Sequence, residues 1–289
     1  MASLTWHQDP RDQNDDRLAV ATSVIAMHAN TSRARRVPPF ASPNSPTLSH
    51  RIGALYELAQ KSNHVFGSPL GPLSDDLSDR YLPRFVYFGP NTSQESIRLA
   101  VLAGFTRHDR VAVNALLVFI EGLAQASDLG DSLNLSFFPV VAVEALIGSA
   151  EESDLTEERW DLPRQPEVAL LRQEILRSSY QAFVRITTTA DEQPSAWVRS
   201  VHSSAAQPSH AQIFSPGDFE PWVVTFETVS PVSVAGPLNL APQLPFTPFE
   251  VELAIPADWS QRKTDRALAG KLKSLIQHYR AYLAFGQHL

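Results

Sequence analysis

Apolar positions recur along the chain in two rhythms. Continuous apolar runs of about five to eight residues read as strands buried on both faces of a sheet. Arg98 to Ala103 (RLAVLA) is of this kind, Leu133 to Val143 is a longer apolar segment read as a strand, and further strands are read at Arg84 to Phe88, Ala182 to Thr188 and Phe249 to Ile255. Between them, apolar residues at helical spacing predict helices over about 47–63, 110–125, 167–179 and 260–285. The first carries Ile52, Leu55, Tyr56 and Leu58 on one side; the last carries Leu268, Leu272, Leu275, Ile276, Tyr279 and Leu283. Strand and helix alternate, which predicts an α/β domain with a mixed, mostly parallel sheet.

Outside this rhythm lie two stretches. Residues 1–46 contain the proline-rich RARRVPPFASPNSP and read as an N-terminal arm, with 47–289 as the domain. Leu18 to Met27 is apolar, and periodicity does not decide between helix and strand. Residues 189–248 are rich in proline, serine and alanine, with a strand-like piece at Trp222 to Thr228.

Composition narrows the chemistry. The 289 residues carry a net charge of -7, which argues against a nucleic-acid partner. The cluster Arg33, Arg35 and Arg36 therefore reads as a solvated patch. No apolar run is long enough to cross a bilayer, and the N-terminus lacks a secretory pattern, so the expectation is a cytoplasmic protein without membrane contact. The absence of cysteine excludes disulfides, thiolate metal sites and a cysteine nucleophile. No G-x-S-x-G, phosphate-binding G-x-x-x-x-G-K-[ST] or H-E-x-x-H stands in the chain.

In an α/β sheet, ligands sit at the carboxyl ends of the strands. There the chain reads Leu102-Ala103-Gly104-Phe105-Thr106-Arg107-His108-Asp109, then Asn114-Ala115-Leu116-Leu117-Val118-Phe119-Ile120-Glu121 on a helix. Phe138-Pro139-Val140-Val141 follows, then Asp161-Leu162-Pro163-Arg164-Gln165-Pro166-Glu167 opening the next helix. Val184-Arg185-Ile186-Thr187-Thr188-Thr189 closes a strand, and Phe249-Glu250-Val251-Glu252-Leu253 precedes the last helix. This order resembles the zinc carboxypeptidases and their deacylase relatives, the succinylglutamate desuccinylase and aspartoacylase group. Their patterns are A-G-x-H-G-x-E, A-L-x-x-[LF]-x-E, F-P-x-x-N-P, D-L-N-R and D-L-H, with a catalytic glutamate on a late strand.

The resemblance implies a three-layer α/β/α sandwich and a hydrolase of peptide or amide bonds. It places the metal-ligand positions at Thr106, Asp109 and Thr187 (Thr188 in the adjacent register), and the general base at Glu252, with Glu250 as the alternative two residues away. It places a carboxylate-gripping arginine at Arg164, with Arg159 as a second anion contact. Catalytic zinc needs about three protein ligands and an open position. Threonine hydroxyls are poor zinc donors, and aspartate is about 1.5 Å shorter than glutamate. No cofactor is therefore expected. The predicted function is that of a pseudoenzyme binding a peptide C-terminus or a small carboxylate. An active zinc-dependent hydrolase with His108, Asp109 and a later His (His202 or His210) as an unusual ligand set is the alternative. A non-catalytic interaction protein, using the arm and residues 189–248, is a further one. Each residue has a plainer reading as well: Arg164 in a salt bridge with Glu167, and Glu250 and Glu252 facing solvent on an edge strand.

Overall fold

A computed structural model of the chain describes residues 46–73, 80–92, 96–126, 129–147, 154–155, 165–201, 213–229, 236, 238 and 248–286. All lie in the second of two compact units, Pro38–Leu289. Helix α1 is Pro46–Ala59, followed by β1 (Val65–Gly67), β2 (Phe85–Phe88) and β3 (Ile97–Ala103). A single 3-10 turn, Arg107–Asp109, leads into α2 (Arg110–Gln125) and β4 (Leu133–Phe138). Then come α3 (Val143–Leu146), α4 (Pro166–Ser178), β5 (Ala182–Thr189), β6 (Ser195–Val201), β7 (Val223–Val229), β8 (Phe249–Pro256) and α5 (Gln261–Gly286).

The strands form one eight-stranded sheet in the order β1-β2-β4-β3-β5-β8-β6-β7. β4, β3, β5 and β8 run parallel, flanked by antiparallel β2 on one side and β6 on the other. Crossovers between parallel strands are right-handed. From β3 the chain moves one way along the sheet to β4, and from β4 it moves back past β3 to β5. The two crossover helices, α2 and α4, therefore lie on opposite faces. α5 packs against α2 and completes that layer, so the fold is the expected α/β/α sandwich.

Burial explains the elements. Leu99 to Ala103 are at most 3% exposed, so the apolar run of β3 has protein on both faces. On α5, Leu268, Leu272, Leu275 and Ile276 form the inward stripe. Two expectations are corrected. The strand predicted over Leu133 to Val143 ends at Phe138, because Pro139 has no N–H to offer a ladder; Val143–Leu146 is a short helix instead. The region 189–248 hides a strand, β6, that the composition obscured. Leu18 to Met27 and the 1–46 arm lie outside the described residues. Among the described residues no helix is long and apolar enough to cross a membrane.

Candidate active-site cleft

The reversal of chain direction at β3 opens a crevice beyond the carboxyl ends of β3 and β5. β3 leaves the sheet through Gly104, whose φ is +72°. A Cβ there would stand 2.9 Å from the Pro139 carbonyl oxygen and 2.8 Å from a Leu146 methyl. The turn thus needs glycine for both its backbone angle and its closeness to the start of α3.

Thr106 and Asp109 then form a reciprocal cap. Thr106 Oγ1 accepts from the His108 amide at 3.3 Å. Asp109 Oδ2 accepts from the amides of Phe105 at 3.0 Å and Thr106 at 2.9 Å. Asp109 Oδ1 reaches across the crevice and accepts from the Thr188 amide at 2.8 Å. A single buried carboxylate so ties the end of β3 to the end of β5. Burial pushes the Asp109 carboxyl above its ordinary range, while the hydrogen bonds from Thr106, Thr188 and Phe105 pull it down. His108 is exposed on the turn.

On β5 and β8 the period of two places Arg185 and Thr187 on one face, together with Glu250 and Glu252. Arg185 stands opposite Glu252 in the parallel pair, and Arg199 of β6 stands opposite Glu250 in the antiparallel pair. Arg185 Nη2 donates to Glu252 Oε2 at 2.6 Å, and its Nε lies 3.4 Å from Glu250 Oε1. Arg199 Nη2 donates to Glu250 Oε2 and Glu252 Oε2, both at 3.2 Å. Thr187 Oγ1 donates to Glu252 Oε1 at 3.1 Å. The Arg185 guanidinium also lies 5.5 Å from the centroid of the Phe105 ring, at the base of the β3 turn. Glu250 is fully buried, and the side chains of Glu252, Arg185 and Arg199 are 11–12% exposed.

Hydrogen bonds therefore join Thr106 to Asp109, Asp109 to the Thr188 amide, and Thr187 to Glu252. The fold corrects the plainer reading of the glutamates: β8 is an interior strand, and neither Glu250 nor Glu252 faces solvent. Thr187, rather than Thr188, faces Glu252. Arg159, Arg164, His202 and His210 lie outside the described residues. Arg185 and Arg199 were missed in the sequence. Each is a lone charge within a short strand, and the signal lay in pairing them with Glu252 and Glu250, which requires the strand register.

A chain of this shape has solved counterparts. The metallo-carboxypeptidase of Burkholderia cenocepacia superposes with a TM-score of 0.63 at 15% identity, over 81% of this chain and 69% of that one. The metallo-carboxypeptidase of Pseudomonas aeruginosa, in complex with (2-guanidinoethylmercapto)succinic acid, gives 0.58 at 18% identity over 81% and 69%. The fold is a metallocarboxypeptidase fold. Bovine thrombin-activatable fibrinolysis inhibitor, in complex with tick carboxypeptidase inhibitor, gives 0.54 at 10% identity over 81% and 97%. No family model and no curated protein matches the sequence.

Among the described residues, the zinc implied by this resemblance finds no suitable donor set. Thr106 and Thr187 offer neutral hydroxyls, one engaged in the helix cap and the other in donating to Glu252. Asp109 already accepts from three backbone amides. Among the described residues, no three His, Asp or Glu side chains converge as metal ligands.

Proposed function

We propose that this chain is a non-hydrolysing protein of carboxypeptidase fold that binds a peptide C-terminus or a small carboxylate. One observation carries the proposal: Glu252, the residue to which the resemblance gives the general-base role, has both carboxylate oxygens engaged, by Arg185, Arg199 and the Thr187 hydroxyl. A general base needs an oxygen free to take a proton from water, and this reaction class needs a Lewis acid to polarise that water and the carbonyl. Among the described residues neither requirement is met. For ligand binding the reading takes Arg164 as anchor, since a guanidinium fork matches a carboxylate, with Arg159 as a second anion contact. The Pseudomonas neighbour, solved in complex with a substituted succinic acid, supports a carboxylate ligand for this fold.

The test is metal analysis of protein purified without chelator, with assays on peptides and N-acyl amino acids. Sub-stoichiometric zinc and no hydrolysis are expected, together with a thermal shift by small carboxylates that Arg164→Ala abolishes. Stoichiometric zinc that is lost in Asp109→Ala overturns the reading. A chain that no carboxylate shifts is an interaction protein instead.

A further inference from the structure

We infer that the Arg185 guanidinium is the resident cation of this cleft, so that the site excludes a divalent ion through an added charge and not through missing ligands alone. The inference deepens the non-hydrolytic reading and rests on it.

The argument is one of charge balance in a buried place. Glu250 and Glu252 put two carboxylates two residues apart on one face of an interior strand. Buried carboxylates require counter-charge. A dication could supply both positive charges at once; here Arg185 and Arg199 supply them, at 2.6–3.4 Å. With two guanidiniums against two carboxylates, these four groups carry no net negative charge with which to attract a metal. A dication added to this face would stand uncompensated among side chains that are at most 12% exposed.

Position singles out Arg185. It is the register partner of Glu252 and lies two residues before Thr187 on the same face of β5. Through Glu252 it is joined to Thr187, the ligand position of the resemblance, by two hydrogen bonds. An imidazole introduced at Thr187 would meet a guanidinium already bound to the neighbouring carboxylate. Arginine stays protonated throughout the ordinary pH range, so this exclusion does not lapse with pH.

The experiment restores the ligands with and without the arginine. A chain carrying Thr106→His, Asp109→Glu and Thr187→His is compared with the same chain carrying Arg185→Ser as well. Zinc is measured by equilibrium dialysis, cobalt by its visible absorption, and folding by thermal melting. The first chain is expected to bind no more metal than the native one. The second is expected to take up stoichiometric zinc at least about tenfold more tightly. Equal uptake with Arg185 in place overturns the inference, and so does a folded second chain that stays metal-free. Should the ligand-restored chains not fold, Arg185→Ala alone decides. Its melting temperature is expected to fall and to be partly restored by millimolar methylguanidinium. An unchanged melting temperature, or no response to methylguanidinium, overturns the inference. Stoichiometric zinc in the native chain defeats the underlying reading instead, so the two failures are separate.

Discussion

Along β3 and β4 the sheet is apolar at depth: Leu99, Val101, Leu102, Leu135, Phe137 and Phe138 are at most 3% exposed. On the adjoining strands β5, β8 and β6 the sheet holds Arg185, Glu250, Glu252 and Arg199 on one face. The two halves are stabilised by different physics. In the first half each side chain contributes by its buried area, and loss is graded by the cavity it leaves. In the second half each charge depends on the others, and removing one strands the rest.

The largest predicted effect follows from that dependence. Glu250→Ala leaves two guanidiniums facing one carboxylate in a buried place and is expected to cost about 3–5 kcal/mol, read by denaturant unfolding. Replacing Arg185, Arg199, Glu250 and Glu252 together by Met and Leu is expected to cost far less, or to stabilise, although it changes more atoms. If the fourfold variant is the less stable of the two, the halves do not differ in the way argued. Leu102→Ala, in the apolar half, is expected to cost about 2–5 kcal/mol, with no such rescue by further apolar replacement.

Smaller effects sharpen the contrast at the crevice between the halves. Asp109→Asn replaces one acceptor oxygen by a donor facing backbone amides, and is expected to cost about 1–2 kcal/mol. Near the start of α4, burial lifts the Glu167 carboxyl above its ordinary range; its own amide and that of Glu144 oppose this, and the Glu144 charge adds to it. A raised folded value means that folding favours the protonated form. The stability this gives is full below about pH 4.3, the unfolded value, and is lost as pH rises through the folded value. Glu167→Gln is therefore expected to gain stability relative to the native chain as pH rises above the unfolded value, read as the pH dependence of the difference in melting temperature. The half-exposed pair of Arg107 and Asp154, 3.4 Å apart, should show the least: Asp154→Ala is expected to cost under about 1 kcal/mol.

The sequence made the apolar half legible and left much of the charged half unread. The run LAVLA and the helical stripes of α2 and α5 announce themselves, because burial on both faces or on one stripe leaves a local period. Arg110–Gln125 coincides with its predicted span. β6 carries Arg199 in a short run, SAWVRSV, whose meaning depends on a partner fifty residues later. The same holds for the site. Thr106, Asp109, Thr187 and Glu252 were singled out through the order of motifs, since each stands in or just after an element visible by itself. Arg185 and Arg199 could not be, because a lone arginine in a strand is ambiguous until the register shows which glutamate it faces.

The placement of β8 has a consequence for assembly. β5 and β6 are consecutive in the chain yet are never neighbours; the last strand, Phe249–Pro256, is inserted between them. During synthesis both arginines emerge well before their acidic partners. The charged half of the sheet cannot close until residues 249–256 arrive, and these deliver both carboxylates together. Pairing across about fifty to seventy residues is slow compared with local helix formation. A ribosome-bound chain halted before residue 249 is thus expected to hold its arginines in water, with this half of the molecule still open.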